Sequence, residues 1–248
     1  MPYWAQAFAA SLCCCLSNTL GAATVFFFRK PHTRVLNTLL GASAGIMLAA
    51  SVWSLLEPAL ALAHWATVTT GALAGAAFLL GTDKLLARIR PQGRNTTKML
   101  LFSITLHNIP EGLAVGVAFG ALAQNPGREA LLAAISVAVG IGVQNFPEGA
   151  AVSLPLRQAG KSRWRSFLWG NGSGAVEPIT AIFGALMVTF SRQALPFLLS
   201  FAAGAMLWVC VHELIPACHE ENSSGRRAYL PTLGALLGFL MMMCMEQM

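Results

Sequence analysis

His107-Asn108-Ile109-Pro110-Glu111-Gly112 is answered 37 residues later by Gln144-Asn145-Phe146-Pro147-Glu148-Gly149. Each hexamer lies inside a long apolar run. Working outward from either copy, the flanks stay apolar over about 20 residues, enough to cross ~30 Å of hydrocarbon. Polar groups inside such a run are costly, and the default reading is an ion or substrate site.

The rest of the chain has the same character. Of its 248 residues, 56% are apolar and only 10% charged, and the mean hydropathy is +0.62. Water could not solvate that surface. Eight apolar segments are expected, at about 3–28, 35–62, 64–86, 98–122, 129–157, 166–190, 194–218 and 228–246. They predict an all-α, polytopic integral membrane protein with eight transmembrane helices, residues 1–248 forming one transmembrane domain. The connections are short, and the one near His64 is tight enough to make the second and third spans antiparallel neighbours.

Charge placement orients these spans. Of the 16 Lys and Arg, only Arg128 and Arg192 fall on the outer side when the N-terminus is outside. Arg29, Lys30, Arg34, Lys84, Arg88, Arg90, Arg94, Lys98, Arg157, Lys161, Arg163, Arg165, Arg226 and Arg227 then lie inside. The positive-inside rule puts both termini on the outer face of a cell (plasma or inner) membrane. The net charge of +6 is spread between spans rather than gathered on one face, so nucleic acid is not expected as a partner. Met1 to Ala10 carry no Lys or Arg, so the first span reads as retained rather than as a signal peptide. Cysteines 13, 14, 15, 210, 218 and 244 show no CxxC spacing and read as small buried residues.

A second repeat is fainter. Asn18-Thr19-Leu20-Gly21-Ala22 corresponds to Glu177-Pro178-Ile179-Thr180-Ala181 at an offset of 159, and Ala44-Gly45-Ile46-Met47-Leu48 to Ala203-Gly204-Ala205-Met206-Leu207. Spans one and two therefore pair with six and seven, and span four with five. Each pair is separated by an odd number of spans, so the copies have opposite orientation. Such inverted-topology repeats place sites near the midplane and favour alternating access.

On a helix His107 and Glu111 share a face, with Asn108 beside them, and Gln144, Asn145 and Glu148 repeat the arrangement. Pro110 and Pro147 each remove an N–H and crowd the carbonyl four residues back, so a kink and an exposed carbonyl are expected beside each acid. Glu177, in Val176-Glu177-Pro178, is a third acid near mid-span. Glu111, Glu148 and Glu177 are expected in one cluster, with no Lys or Arg in any span core to neutralise them. Clustered carboxylates in low dielectric must hold protons or a cation. Imidazole and carboxylate suit zinc and related first-row metals, and amide oxygens can complete the shell. The same N/O ligands accept Zn2+, Cd2+, Fe2+, Mn2+ and Co2+. No cofactor is expected beyond the bound or carried ion.

Further from the centre, Met47 offers a thioether that ligates soft metals, although core packing also explains it. Glu57 and His64 stand at the outer end and suit an entrance. His212, Glu213, His219 and Glu220 stand at the inner end of span seven and suit an exit route, with Cys218 beside them. Asp83 reads as a solvated partner of Lys84, and His32 as a residue of a basic loop.

These motifs resemble the ZIP (Zrt/Irt-like) family of divalent-metal transporters, in particular its GufA-type branch. His-Asn-x-Pro-Glu-Gly in span four, Gln-Asn-x-Pro-Glu-Gly in span five, Val-Glu-Pro in span six and His-Glu-Leu-Ile-Pro in span seven carry the resemblance. It implies zinc uptake into the cytoplasm through a binuclear midplane site in a homodimer. It also implies that spans one, four, five and six move against two, three, seven and eight. Carried over by motif, one metal position uses His107, Glu111, Gln144 and Glu148 with Met47. The other uses Asn108, Glu111, Asn145, Glu148 and Glu177. Gln144 stands where many members have His, and Asn145 where some have Asp, so the second position is expected to be the weaker. Two other classes compete with this reading. An intramembrane zinc protease needs H-E-x-x-H, but Pro216 stands where the second His of His212-Glu213 should be, so an enzyme is not expected. A proton-coupled carrier of an organic solute would use the same carboxylates as a relay.

Overall fold

A computed structural model describes residues 1–28, 33–89, 96–219 and 229–246, leaving the side chains at 86, 87, 89, 96–107, 190 and 192 outside the description. Regular structure among these residues is helical throughout, because in hydrocarbon an isolated segment can satisfy its backbone only within itself. The helices form eight rods. They are α1 (Tyr3–Ala23, continued by a tighter turn Thr24–Phe26), α2 (Thr33–Leu62), α3 (Trp65–Ile89), α4 (Thr96–Ala121) and α5 (Arg128–Gln158). α6 comprises Arg163–Ser173, Gly174–Val176 and Glu177–Phe190, followed by α7 (Leu195–His219) and α8 (Leu230–Glu246). Among the described residues six, α1, α2, α3, α5, α6 and α7, are long and apolar enough by length and composition to cross a bilayer. α4 has 26 residues and α8 has 17, at the short end of the spanning range.

The side-chain pattern runs inside out relative to a water-soluble bundle. Ala7, Ser11, Cys14 and Asn18 form the buried face of α1, while Phe8, Leu12, Leu16 and Leu20 are exposed. On α8, Gly234, Gly238 and Met242 face inward and Leu233, Leu236, Leu237 and Leu240 outward. Lipid tails are as apolar as leucine, so burying large side chains gains little and small residues set helix contacts.

Two bundles result. α1, α4, α5 and α6 pack on one another, and α2 with α8 and α3 with α7 make the other set; α2 meets α5, and α4 meets α7, across the boundary. Each closest pair is set by glycine. A methyl at Gly21 would overlap the Phe146 carbonyl, and one at Gly149 the Asn18 carbonyl, fixing α1 against α5. Gly112 and Gly116 lie in the same way on Glu177 and Ala181, fixing α4 against α6. Gly45 lies on the Ala235 carbonyl in the α2–α8 pair, and Gly204 on the Ala72 carbonyl in the α3–α7 pair.

These contacts obey the repeats read from the sequence and extend them. Asn18 corresponds to Glu177 and Gly149 to Gly112, and the contacts between them correspond as well. Gly71 and Gly75 of α3 contact α7 as Gly234 and Gly238 of α8 contact α2. The third and eighth spans are thus also related, and Gly71-Ala72-Leu73-Ala74-Gly75 differs from Gly234-Ala235-Leu236-Leu237-Gly238 only at Ala74 and Leu237, a short match that the sequence repeats above do not include. The backbone departs from regular winding at equivalent places too: Ala50–Leu56 in α2 and Cys210–Leu214 in α7 are π-helical. Each π segment ends two residues before a proline, Pro58 and Pro216. A proline that removes one ladder bond and excludes the carbonyl four residues back explains the widening. The helix instead runs unbroken through Pro110 and Pro147. The interruption falls before Pro178, where Gly174–Val176 tightens and Glu177 opens a new helical segment.

Candidate metal centre

The polar residues of α4, α5 and α6 converge at the heart of the first bundle. Asn108, Glu111, Gln144, Asn145 and Glu177 are each at most 2% exposed, and Glu148 is half-buried. Such burial is tolerable only if the groups answer one another, and they do so in three linked nests.

In the first, Gln144 Nε2 donates to Glu111 Oε1 at 2.6 Å. The two repeat motifs therefore touch directly, the amide of one against the acid of the other. In the second, Glu177 Oε1 accepts from Asn108 Nδ2 at 2.8 Å and from Asn145 Nδ2 at 2.9 Å, and its Oε2 from Asn145 Nδ2 at 2.8 Å. One carboxylate thus ties α4, α5 and α6. In the third, Ser43 of α2 donates to Glu148 Oε1 at 2.8 Å. The three carboxylates are within electrostatic reach of one another. Amides and a hydroxyl separate them, and among the described residues no three His, Cys, Asp or Glu gather into a metal cluster of their own. A shell drawn from the described residues would include amide oxygens.

Those oxygens are present. Glu111 Oε2, Gln144 Oε1 and Asn145 Oδ1 are buried with no hydrogen-bond donor among the described residues, and no other carboxylate or amide oxygen there is so placed. Leaving a buried acceptor unmet costs about 1–3 kcal/mol, and a bound cation would satisfy such oxygens. Met47 is buried on α2, four residues and one turn from Ser43. His107 belongs to α4, but its side chain lies outside the described residues.

The flanking residues are more dispersed. Glu57 is exposed just past the π segment of α2, and His64 is exposed with its ring 5.3 Å from that of Trp65. Ser54, one turn before Glu57, donates to Glu246 Oε1 of α8 at 2.7 Å. Sequence reading passed over Glu246, although it is the sole acid of its span and that rarity could have singled it out. At the other end His212 is exposed and stacks on Trp208, ring centres 5.0 Å apart. The Trp208 indole N–H donates to Asp83 Oδ2 at 3.1 Å, so Asp83 joins α3 to α7 and is more than a solvated neighbour of Lys84. Glu213 is half-buried. The His219 ring nitrogens lie 2.9 Å from the Ile215 carbonyl and 3.2 Å from Thr232 Oγ1, with Cys218 Sγ 3.2 Å away. Glu220 and His32 lie outside the described residues. A cavity of about 640 Å³ opens between Leu60, Leu73, Leu207 and Val211, lined by α2, α3 and α7; it is apolar and none of the three carboxylates borders it.

Residues 90–246, which contain all the motifs, match the family model described as ZIP Zinc transporter. The chain belongs to the ZIP family. The family's members are transporters rather than enzymes. Zinc transporter ZIP11 of Homo sapiens is 33% identical over an alignment covering 91% of this chain and 92% of that protein. Zinc transporter ZupT of Corynebacterium aurimucosum is 35% identical, covering 88% of this chain and 89% of its own length. Zinc transporter GufA of Myxococcus xanthus is 39% identical over a shorter stretch, 61% of this chain and 56% of the relative. Likeness to the two ZIP relatives of nearly full coverage reaches well beyond the motifs and takes in the helices that frame them.

Proposed function

We propose that this protein carries a divalent metal ion, Zn2+ foremost, across a cell membrane into the cytoplasm. The observation that carries this reading is the set of three buried oxygens on Glu111, Gln144 and Asn145 that meet no donor among the described residues. Oxygens of this kind need a proton donor or a cation, and a mixed carboxylate, amide and imidazole set accepts first-row divalent metals. The names of the relatives supply the cargo.

The stronger metal position takes His107, Glu111, Gln144 and Glu148, with Met47 from the other bundle. The weaker takes Asn108, Glu111, Asn145, Glu148 and Glu177. Its weakness has a cause in the contacts: Glu177 is already answered by two amides, and turning either amide over exchanges an N–H for an oxygen without adding charge. Glu57, His64 and Glu246 gather cations at the outer end, and His212, Glu213, His219 and Glu220 receive them at the inner end. The bundle of α1, α4, α5 and α6 moves against its neighbour, both termini outside, in a homodimer in the plasma or inner membrane.

Metal analysis tests this. Purified protein equilibrated with Zn2+ and desalted is expected to retain at least one ion per chain, and the Glu111→Gln, Glu148→Gln double variant less than about a tenth of that. Equal retention by both proteins would refute the site.

A further inference from the structure

Ser43 stands outside every ligand set named above. It is wholly buried on α2, with its hydroxyl 2.8 Å from Glu148 Oε1 and 3.2 Å from the Gln144 carbonyl oxygen. A hydroxyl has one proton to give, and a charge-assisted bond to a carboxylate is the stronger use of it. The governing bond therefore runs from Ser43 to Glu148, and it crosses from one bundle to the other. Met47 lies one turn along the same helix, so this bond draws Glu148 toward the wall that carries the thioether.

The inverted repeat supplies a built-in comparison. The counterpart of Ser43, 159 residues on, is Ala202, which is equally buried. The counterpart of Glu148 is Glu111, whose Oε2 meets no donor among the described residues. α2 packs on α5 as α7 packs on α4, and the repeat puts a hydroxyl at this position on α2 and a methyl on α7. Helix packing does not demand the hydroxyl, since α7 packs on α4 with alanine at the equivalent position. Its presence on one side alone points to the carboxylate.

From this we infer that Ser43 is a positioning residue for metal loading. It holds Glu148 in the stronger position, with Glu111 and Gln144, and keeps it from turning toward Glu177. The inference rests on the transport reading and identifies what tunes that site's affinity.

Zinc uptake into proteoliposomes, read as separate KM and maximal rate, tests it with three variants of confirmed monodispersity. Ser43→Ala is expected to raise KM about tenfold, equivalent to about 1.4 kcal/mol, with the maximal rate changed less than twofold. Ser43→Thr, which keeps the hydroxyl, should restore KM to within about threefold of the parent. Ser43→Cys, similar in size with a weaker donor, should fall between, and carries the test if the threonine variant does not fold. A packing role predicts the reverse order, alanine benign and threonine harmful, because threonine adds a methyl to a closed site. That order, or an unchanged KM in Ser43→Ala, overturns the inference while leaving transport intact. Absence of uptake by the parent protein overturns the transport reading itself.

Discussion

Glu111→Gln is expected to lower zinc uptake by proteoliposomes at least about a hundredfold while leaving the protein folded. Gln is nearly isosteric with Glu, so no cavity opens, and the Gln144 Nε2 donor at 2.6 Å from Oε1 still finds an oxygen. What disappears is the negative charge and the second carboxylate oxygen, Oε2, which has no donor among the described residues. Glu111 belongs to both proposed metal positions, so neither can compensate. Truncating one partner of a buried charged contact typically costs about 2–5 kcal/mol, and a hundredfold loss corresponds to about 2.7 kcal/mol at the lower end. Asn108→Ala is the informative contrast. It removes one of the amide donors to Glu177 without touching the Glu111–Gln144 pair, and about a fivefold loss is expected. Uptake by Glu111→Gln within threefold of the parent would show that the carboxylate is not a ligand of the moving ion.

The sequence displayed the fold class because in lipid the constraint is one-dimensional. A run of about 20 apolar residues between charged turns has to be a helix, and no long-range contact is needed to see it. The acids were legible for a related reason: Glu111, Glu148 and Glu177 are conspicuous where nothing else is charged. What they do to one another was not legible. That Asn108 and Asn145 would converge on Glu177, and that Gln144 would answer Glu111, depends on how three helices face each other. Residue spacing along each helix carries no such information. Ser43 and Glu246 escaped for the same reason, since each is an ordinary residue made significant by a neighbour more than a hundred positions away. The α3–α8 relation went unread because its sequence match is confined to residues 71–75 and 234–238, and this chain has 23 glycines among which so short a match is easily lost.

The glycine that ends each motif shows how fold and site were joined. Gly112 follows Glu111 directly, and a Cβ there would run into the Thr180 hydroxyl, the Glu177 carbonyl and, at 2.7 Å, the Glu177 Cα. The obstacle is the backbone of the very residue that binds Asn108 and Asn145, so it cannot rotate away. Gly112→Ala is therefore expected to push α6 off α4, costing about 1–3 kcal/mol as overpacking does, and to displace the Glu177 carboxylate from its two amides. Zinc uptake should fall more than tenfold, and the melting temperature of the detergent-solubilised protein should fall measurably. Gly81 provides the control. It lies within α3, and nothing comes within 4 Å of the position that an alanine methyl would take there. Gly81→Ala should be neutral or slightly stabilising, because alanine is favoured over glycine in a helix interior by about 1 kcal/mol. If Gly112→Ala instead behaves like Gly81→Ala in both measurements, α4 and α6 do not rely on this contact. Glu177 would then owe its place to its own helix break alone. A loss of uptake at unchanged stability would separate the two roles of the glycine, since the stabilising contact would have relaxed while the carboxylate remained out of register with Asn108 and Asn145.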